Sequence, residues 1–389
     1  MARHGWSGGL LAGQAPDLPT RRGVLTGLLT VGGAGLLGGL TGCDAGPAAP
    51  VAPPPGADEL AVRRAVADAR RLRDDALART GVRPALEPVL RRIAADHEAH
   101  LAALGASVTP SATAASATAS DRSSTASTRA VTAADRVRAE WSGARTALRD
   151  VAGRPAGLAA LLARIAAARA VHADVIATAA KVSQPSSTLQ PAPPPATASE
   201  TPSGTHASSI EPSSAASTTP GTGVTGLAPT ATPTQSLAPA ARRALEQLLR
   251  GEHAAVFAYP IVISRSTGNR RAAATTLWQE HIRERDTLER QLVAAGVDPP
   301  AAAAAYDVGA VPTTSQEAAQ LAARVENALA AVAVDGVAAT TGAVQLACAQ
   351  QLVTAARRAR MWGAPATALP GGSAVTTTPT ATGTAVATG

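Results

Sequence analysis

Apolar residues recur every three or four positions along two separate parts of the chain, the spacing of one face of an α-helix. Four such amphipathic patterns lie within residues 58–183, and four more lie within residues 237–363. Leu321, Val325 and Leu329 show the spacing clearly. Four helices can bury their apolar faces against one another. The pattern therefore predicts an all-α fold with two four-helix bundles.

Other stretches are rich in Ser, Thr, Pro, Ala and Gly and carry few large apolar residues. Such sequences bury too little apolar surface to offset the entropy that ordering costs, so they are predicted to be disordered. They are a tether at residues 44–57, an insert at 105–131 within the first bundle, a linker at 184–236 and a tail at 364–389.

Residues 1–43 have the layout of an export signal. Arg21 and Arg22 precede an uncharged, Gly-rich apolar run that is short for a permanent membrane span. The arginine pair and its surroundings resemble a twin-arginine signal, although the usual aromatic residue after the pair is absent. The run ends in Leu40, Thr41, Gly42 and Cys43, which resemble a bacterial lipobox.

The lipobox resemblance implies that a lipid is attached to Cys43 and that residues 44–57 tether the folded part to the membrane. We therefore expect the protein on the extracytoplasmic face of the cell membrane, with the membrane itself as one partner. An ordinary cleaved signal and an uncleaved anchor are the alternatives. The second cysteine, Cys348, falls in an apolar helical pattern and is predicted to be a buried packing residue.

Composition narrows the possibilities further. Hydrophobic residues make up 46% of the 389 residues but aromatic residues only 2%, so the cores must consist of Ala, Leu and Val in closely packed helices. The net charge of +7 suits either nucleic acid or an anionic surface. Arginines are spread along the helices and export excludes nucleic acid as a partner, so an anionic wall polymer or an envelope protein is expected instead.

Polar residues interrupt the apolar faces of the C-terminal part. Glu252 continues the first face, His281 and Glu284 lie on the second, and Glu326 lies on the third. Gln350 is predicted to take the corresponding place on the fourth helix. Inward carboxylates and histidines from several helices are the arrangement with which some four-helix bundles bind two metal ions.

Residues 237–363 resemble the actinobacterial ferritin-like domain family of unknown function. The resemblance rests on the segment from Glu252 to Tyr259, on Pro299 and Pro300 ahead of Tyr306, and on Arg360-Met361-Trp362-Gly363. It implies a ferritin-like helical bundle, and no established activity comes with it.

The sequence departs from metal-binding ferritins at two points. The Glu-x-x-His motif is replaced by His281-Ile282-Arg283-Glu284, and the fourth helix offers glutamines but no carboxylate or histidine. A complete two-metal centre is therefore not expected. The alternatives are a polar network with His281 hydrogen-bonded to Glu252 or Glu326, a single bound ion, or a pocket for a small ligand. Without metal, His281 is predicted to be protonated.

The N-terminal part holds a second group of candidates. His97 and His100 lie on the face of its second helix, Glu140 on that of the third and His172 on that of the fourth. Three histidines and a carboxylate can bind zinc or iron. The alternative is that these histidines are partly exposed or pair with Asp75, Asp96 and Asp174 as structural hydrogen bonds.

Sequence signatures of other chemistry are absent: the chain has no Gly-rich phosphate loop, no Cys-x-x-Cys pair and no serine nucleophile elbow. The sequence therefore favours a protein without enzymatic activity, a membrane-anchored binding or assembly scaffold of the cell envelope. The alternative is a metal-binding or redox protein. No cofactor is expected beyond a single iron, manganese or zinc ion.

Overall fold

The structure, a computed structural model, describes residues 55–78, 84–106, 131–184 and 236–372. The predicted signal and lipobox residues lie outside the described residues, as does most of the predicted tether, insert, linker and tail. Those predictions therefore remain predictions.

Eight α-helices and no β-strand occur in the described residues, so the predicted all-α fold is confirmed. The N-terminal half contains α1 (Ala57–Leu77), α2 (Glu87–Ala103), α3 (Ala133–Arg149) and α4 (Ala156–Ala180), with a 3₁₀ turn at Pro84–Leu86 before α2. The C-terminal half contains α5 (Pro239–Arg265), α6 (Gly268–Ala294), α7 (Ser315–Ala339) and α8 (Gly342–Met361).

Local sequence signals explain where several helices begin. The hydroxyl of Thr132 accepts from the backbone N–H of Asp135, whose carboxylate accepts from the backbone N–H of Thr132, and Thr314 and Glu317 repeat this capping box at α7. Pro239 opens α5, at a position where a helix has no partner for a backbone N–H.

Helix α5 continues through Pro260, which has no N–H to donate to the carbonyl of Val256 one turn earlier. The indole N–H of Trp278, on α6, donates to that carbonyl at 3.1 Å. A side chain of the neighbouring helix thus replaces the missing backbone hydrogen bond. The proline is therefore tolerated, and it fixes how α6 lies against α5.

The four helices of the N-terminal half form a ring. Helix α1 packs against α2 and α3, and α4 packs against α3 and α2. Small residues let the helices approach closely: a Cβ atom on Gly143 would lie 3.2 Å from the Leu72 side chain. The interior is mostly Ala and Leu with some Val and Ile, whereas the composition predicted Ala, Leu and Val.

The C-terminal half is less evenly closed. Helix α5 packs against α6 and α7, and α7 packs closely against α8, but the backbones of α6 and α8 make no comparable approach. Side chains such as Arg358 span the gap between these two helices instead. The gap is the cleft described below.

The two halves pack against each other, which the sequence pattern did not predict. Helix α4 lies against α7 and α8, and one apolar core includes residues of both halves. Polar contacts join them as well: the guanidinium of Arg357 binds Asp174 at 2.7 Å, and the side-chain oxygen of Gln345 accepts from the Gly153 N–H at 3.2 Å.

Helix α4 lies at the centre of this arrangement. By length and composition it is the one helix within the described part of the chain that could cross a membrane. Other parts of the protein cover 67% of its most apolar window, and a buried core helix has the same length and composition.

Residues 364–372, here called the closing segment, lead from α8 across the N-terminal half. Arg164 on α4 donates to the carbonyls of Leu369 at 2.7 Å and Pro370 at 2.9 Å. Arg92 on α2 donates to that of Ala366 at 3.1 Å. The sequence predicted these residues to begin a disordered tail, whereas the structure shows them held by specific contacts with both helices.

Candidate functional site

Each half encloses a cluster of histidine and carboxylate side chains. The His281 cluster of the C-terminal half consists of Glu252, His281, Glu284 and Glu326. The His172 cluster of the N-terminal half consists of His97, His100, Glu140 and His172. Together these are the eight candidates that the sequence predicted, and the structure brings each set of four together.

His281 lies between two carboxylates and is completely buried. Its Nδ1 lies 2.8 Å from Glu252 Oε2 and its Nε2 lies 3.0 Å from Glu326 Oε1. Both partners accept, so both ring nitrogens must donate. The sequence predicted a bond to one carboxylate or the other, and the structure shows both.

The two carboxylates also determine the charge of the ring. Burial alone would lower the pKa of His281, but Glu326 and Glu252 outweigh it and raise that pKa to about 10. The ring is therefore a cation at neutral pH, in agreement with the prediction from sequence. Burial raises the pKa of Glu252 to about 7, against the opposing effect of His281.

Two aromatic residues extend this network. The hydroxyl of Tyr259 donates to Glu326 and accepts from the indole N–H of Trp362, which lies 3.0 Å away. Burial and the charge of Glu326 raise the pKa of Tyr259 well above its usual value, so the phenol keeps its proton. The sequence reasoning missed both residues because an aromatic residue on an apolar face usually indicates only packing.

Helix α8 contributes a cation that the sequence reasoning also missed. The Arg358 guanidinium forms a bidentate pair with Glu284 at 2.7 and 3.1 Å and also binds Glu280 at 2.8 Å. Burial would raise the pKa of Glu284, but Arg358 more than offsets it and lowers that pKa. Only potential metal ligands were sought on this helix in the sequence, and an arginine is not one.

The glutamine that reaches this cluster is Gln351 and not Gln350, a correction to the sequence-based prediction. Its amide donates to Glu252 Oε1 at 2.9 Å and to Glu284 Oε2 at 3.4 Å. One residue along a helix is a rotation of about 100°, so an error of one position changes which side chain faces inward.

The cleft between α6 and α8 has a volume of about 1140 Å³. Its walls carry Leu245, Leu248, Leu277 and Leu288, and Val175 of the N-terminal half lies on the side towards α4. Polar and charged residues also line the cleft: Glu252, Glu280, Arg283, Glu284, Gln351, Arg357, Arg358 and Arg360.

The His172 cluster is equally buried but differs in its hydrogen bonds. His97 Nε2 lies 2.7 Å from Glu140 Oε1, and His172 Nε2 lies 3.2 Å from Asp96 Oδ2. His100 Nε2 donates to the backbone carbonyl of Ala368 in the closing segment at 2.7 Å. Of the structural pairs that the sequence suggested, the bond between His172 and Asp96 is present, but the histidines are fully buried and not partly exposed.

Several polar atoms of this cluster have no hydrogen-bond partner. They are the Nδ1 atoms of His97, His100 and His172 and the Oε2 atom of Glu140. Buried polar atoms are normally paired, so a group of unpaired ones in a single place requires an explanation.

Burial and neighbouring charges separate the pKa values of the three rings. Burial lowers the pKa of His97 and lowers that of His100 further. Burial also opposes protonation of His172, but Asp96 and Glu140 outweigh it and raise the pKa of His172 to about 9. The rings of His97 and His172 hold the pKa of Glu140 below its usual value despite burial.

Comparison with known proteins identifies the C-terminal half. Residues 244–374 match a domain of unknown function, DUF4439. A solved crystal structure, that of a conserved hypothetical protein, rv2844, from Mycobacterium tuberculosis, is also similar. The protein in it is 30% identical in sequence to this chain. The match covers 33% of this chain and 97% of that protein, with a TM-score of 0.31. This part of the chain belongs to that family of unknown function. No curated protein is similar enough to this chain to count as a match.

The DUF4439 domain contains the His281 cluster and most of the cleft, whereas the His172 cluster lies outside it. Both clusters contain residues that could hold a metal ion. In His97, Glu140 and His172, and likewise in Glu252, His281 and Glu284, the potential ligand atoms lie within 4.8 Å of one another. In the DUF4439 domain an ion would have to displace a proton from His281, because both of its nitrogens donate to carboxylates.

Proposed function

We propose that this protein is an exported, membrane-anchored binding protein whose DUF4439 domain takes a small amphipathic cation into the cleft between α6 and α8. One observation carries the proposal: Glu280 and Glu284 share a single guanidinium, that of Arg358, inside a cavity with apolar walls. Apolar cavities with a few converging polar groups are the usual form of small-molecule sites.

Four arginines and four acidic residues line the cleft, but around Arg358 two carboxylates share one guanidinium, and this favours a cation at that point. Arg358 occupies both oxygens of Glu284 but only Oε2 of Glu280, so Glu280 retains an oxygen for a ligand. Glu252 lies behind Glu284 and is held to it through Gln351. A protonated amine at this point would bind the Glu280 oxygen that Arg358 leaves open, and a hydrocarbon part would cover the leucines.

Location is the second part of the proposal. The resemblance of Arg21 and Arg22 to an export signal and of Leu40–Cys43 to a lipobox supports a lipid-anchored protein on the extracytoplasmic face. A single lipid on Cys43 would hold the cleft near the membrane surface, where amphipathic molecules concentrate. An envelope protein or an anionic wall polymer remains a predicted additional partner.

The cleft can be tested with n-octylamine as the probe and octanoate as its counterpart of opposite charge. We expect calorimetric titration of the purified full chain to show saturable, one-to-one binding of octylamine and none of octanoate. Glu280→Gln should weaken octylamine binding about tenfold, because a hydrogen bond to a charged group contributes about 1.5–3 kcal/mol.

A matched pair of variants locates the binding. Ala347 is exposed on α8 and lines the cleft, whereas Ala343, one turn earlier, is exposed but does not line it. Ala347→Trp should occupy part of the cleft next to Gln351 and weaken octylamine binding, while Ala343→Trp should leave it unchanged. Equal binding of octylamine and octanoate, or equal effects of the two tryptophans, would contradict the proposed site.

A further inference from the structure

In the neutral form of His172, the form that can bind a metal ion, two lone pairs face each other inside the N-terminal half. His172 Nε2 donates to Asp96, so in the neutral ring Nδ1 carries the lone pair. That Nδ1 lies 3.7 Å from Glu140 Oε2, and neither atom has a hydrogen-bond partner. The His172 side chain is completely buried and that of Glu140 is only 3% exposed, so bulk water does not separate the two acceptors.

The distance is informative. At 3.7 Å the two atoms are too far apart for a direct N–H···O hydrogen bond. Zinc holds nitrogen and oxygen ligands at about 2.1 Å, so two ligand atoms at a tetrahedral angle lie about 3.4 Å apart. The pair therefore has nearly the spacing of two ligands of one ion, and such an ion would replace the proton that His172 otherwise carries.

A third donor completes the arrangement. His97 Nε2 lies 2.7 Å from Glu140 Oε1, and the ligand atoms of His97, Glu140 and His172 all lie within 4.8 Å of one another. These residues come from α2, α3 and α4 respectively. An ion bound to all three would join three helices of the ring.

The charges around the three donors suit a divalent ion. Glu140 supplies one negative charge, and Asp96, behind His172, supplies a second that Arg92, on the outer side of α2, partly balances at 3.4 Å. Arg169 is the buried cation nearby, and its guanidinium is turned towards the carbonyls of Gly143 and Ala65 and towards Asp68. A bound ion would take over from the His172 proton in compensating these buried carboxylates.

We infer that the N-terminal half binds one divalent transition-metal ion of the zinc type through His97, His172 and Glu140. Imidazole with a single carboxylate favours zinc and its neighbours in the transition series over magnesium or calcium. Asp96 orients His172 from behind, as carboxylates commonly do for metal-bound histidines. The site lies outside the DUF4439 domain and does not depend on the proposed cleft ligand.

His100 is a neighbour and not a ligand in this assignment. Its ring centroid lies 5.4 Å from that of His97, but it does not belong to the set of ligand atoms within 4.8 Å. The Ala368 carbonyl holds its Nε2 at 2.7 Å and so limits rotation of the ring. His100 therefore provides a control inside the same cluster.

The experiment uses the purified full chain, stripped with a chelator and then dialysed against Zn²⁺ or Co²⁺. Elemental analysis should find one ion per chain, and bound Co²⁺ should show the intense visible bands of a tetrahedral complex. His97→Gln, Glu140→Gln and His172→Gln should each lose stoichiometric binding. His100→Gln and, in the other half, His281→Gln should retain one ion per chain.

A variant outside the ligand set still tests metal binding if a variant of a ligand residue fails to fold. Asp96→Asn preserves the shape of the side chain that orients His172 and should raise the Kd for Zn²⁺ about 10–100-fold. Circular dichroism should show unchanged helicity for this variant. The inference is overturned if the stripped wild-type chain takes up no ion on dialysis against Zn²⁺ or Co²⁺, or if His281→Gln abolishes binding while His172→Gln preserves it.

Discussion

The backbone carbonyl of Ala368 accepts a 2.7 Å hydrogen bond from Nε2 of His100, so the end of the C-terminal half reaches the buried interior of the N-terminal half. Arg164 on α4 holds the next two carbonyls of the closing segment. Together with the core shared by α4, α7 and α8, these contacts make the described halves one packed unit.

We first predict that cutting the chain between residues 185 and 235 leaves the two halves associated. The apolar contacts of α4 with α7 and α8 do not require a covalent linker. After limited proteolysis, the two fragments should elute together in size-exclusion chromatography and separate only in denaturant. Separate elution in native buffer would show that each half is stable alone and that the interface is weak.

A substitution at Gly371 tests whether the closing segment packs tightly against α7. It has a φ of +74°, and a Cβ atom there would lie 2.5 Å from Val334 and 2.9 Å from the Ala330 carbonyl. Gly371→Ala should lower the free energy of unfolding by about 1–3 kcal/mol for overpacking, beyond the cost of the backbone conformation. Urea denaturation measures this change.

Gly363 is the matched control for that variant. Its φ is +98°, but a Cβ atom there would meet nothing within 4 Å. Gly363→Ala should therefore show only the cost of a left-handed backbone, about 1–2 kcal/mol. Equal losses in the two variants would mean that the closing segment does not press against α7.

We also predict that the protein loses stability as the pH rises above neutrality. Folding raises the pKa of His281 from 6.5 to about 10. The stability that comes from its protonation is therefore fully present below about pH 6.5 and is lost as the pH rises through the folded-state value. The free energy of unfolding, measured in urea from pH 6 to pH 10, should fall steadily. It should change less in His281→Gln, and an identical slope in that variant would assign the effect to other groups.

The fourth prediction concerns the membrane anchor. If Cys43 carries a lipid, the wild-type protein should take up a labelled fatty acid and sediment with membranes in its native bacterial host or in one that processes its signal. Cys43→Ser should abolish the label and the associated processing. Cys348→Ser is a suitable control because Cys348 is buried in α8. Unlabelled wild-type protein, processed like the Cys43→Ser variant, would rule out the lipobox.

The sequence by itself determined the helical class and the residues that point inward. A period of three to four apolar residues is a local property, so the helices and their buried faces follow from it. The polar residues on those faces could also be identified from the sequence, because each interrupts an apolar run within its own helix. Glu252, His281, Glu326, His97 and His172 could therefore be selected before any contact was known.

Only the tertiary structure decided how those residues pair. Whether His281 donates to one carboxylate or two depends on where α5 and α7 lie relative to α6. The local sequence pattern of one helix contains no information on the distances between helices. The partners of Arg358 and Gln351 also lie on other helices, so the sequence could not show that these two side chains join the cluster. The contact of α4 with α7 and α8 could not be predicted from the sequence either, because an Ala-rich face can pack against a helix of either half. The relative positions of helices depend on the sum of many weak contacts over the whole fold. These positions decide the hydrogen bonds within each cluster, and the two clusters therefore differ in their hydrogen bonding although the sequence predicted both from the same kind of pattern.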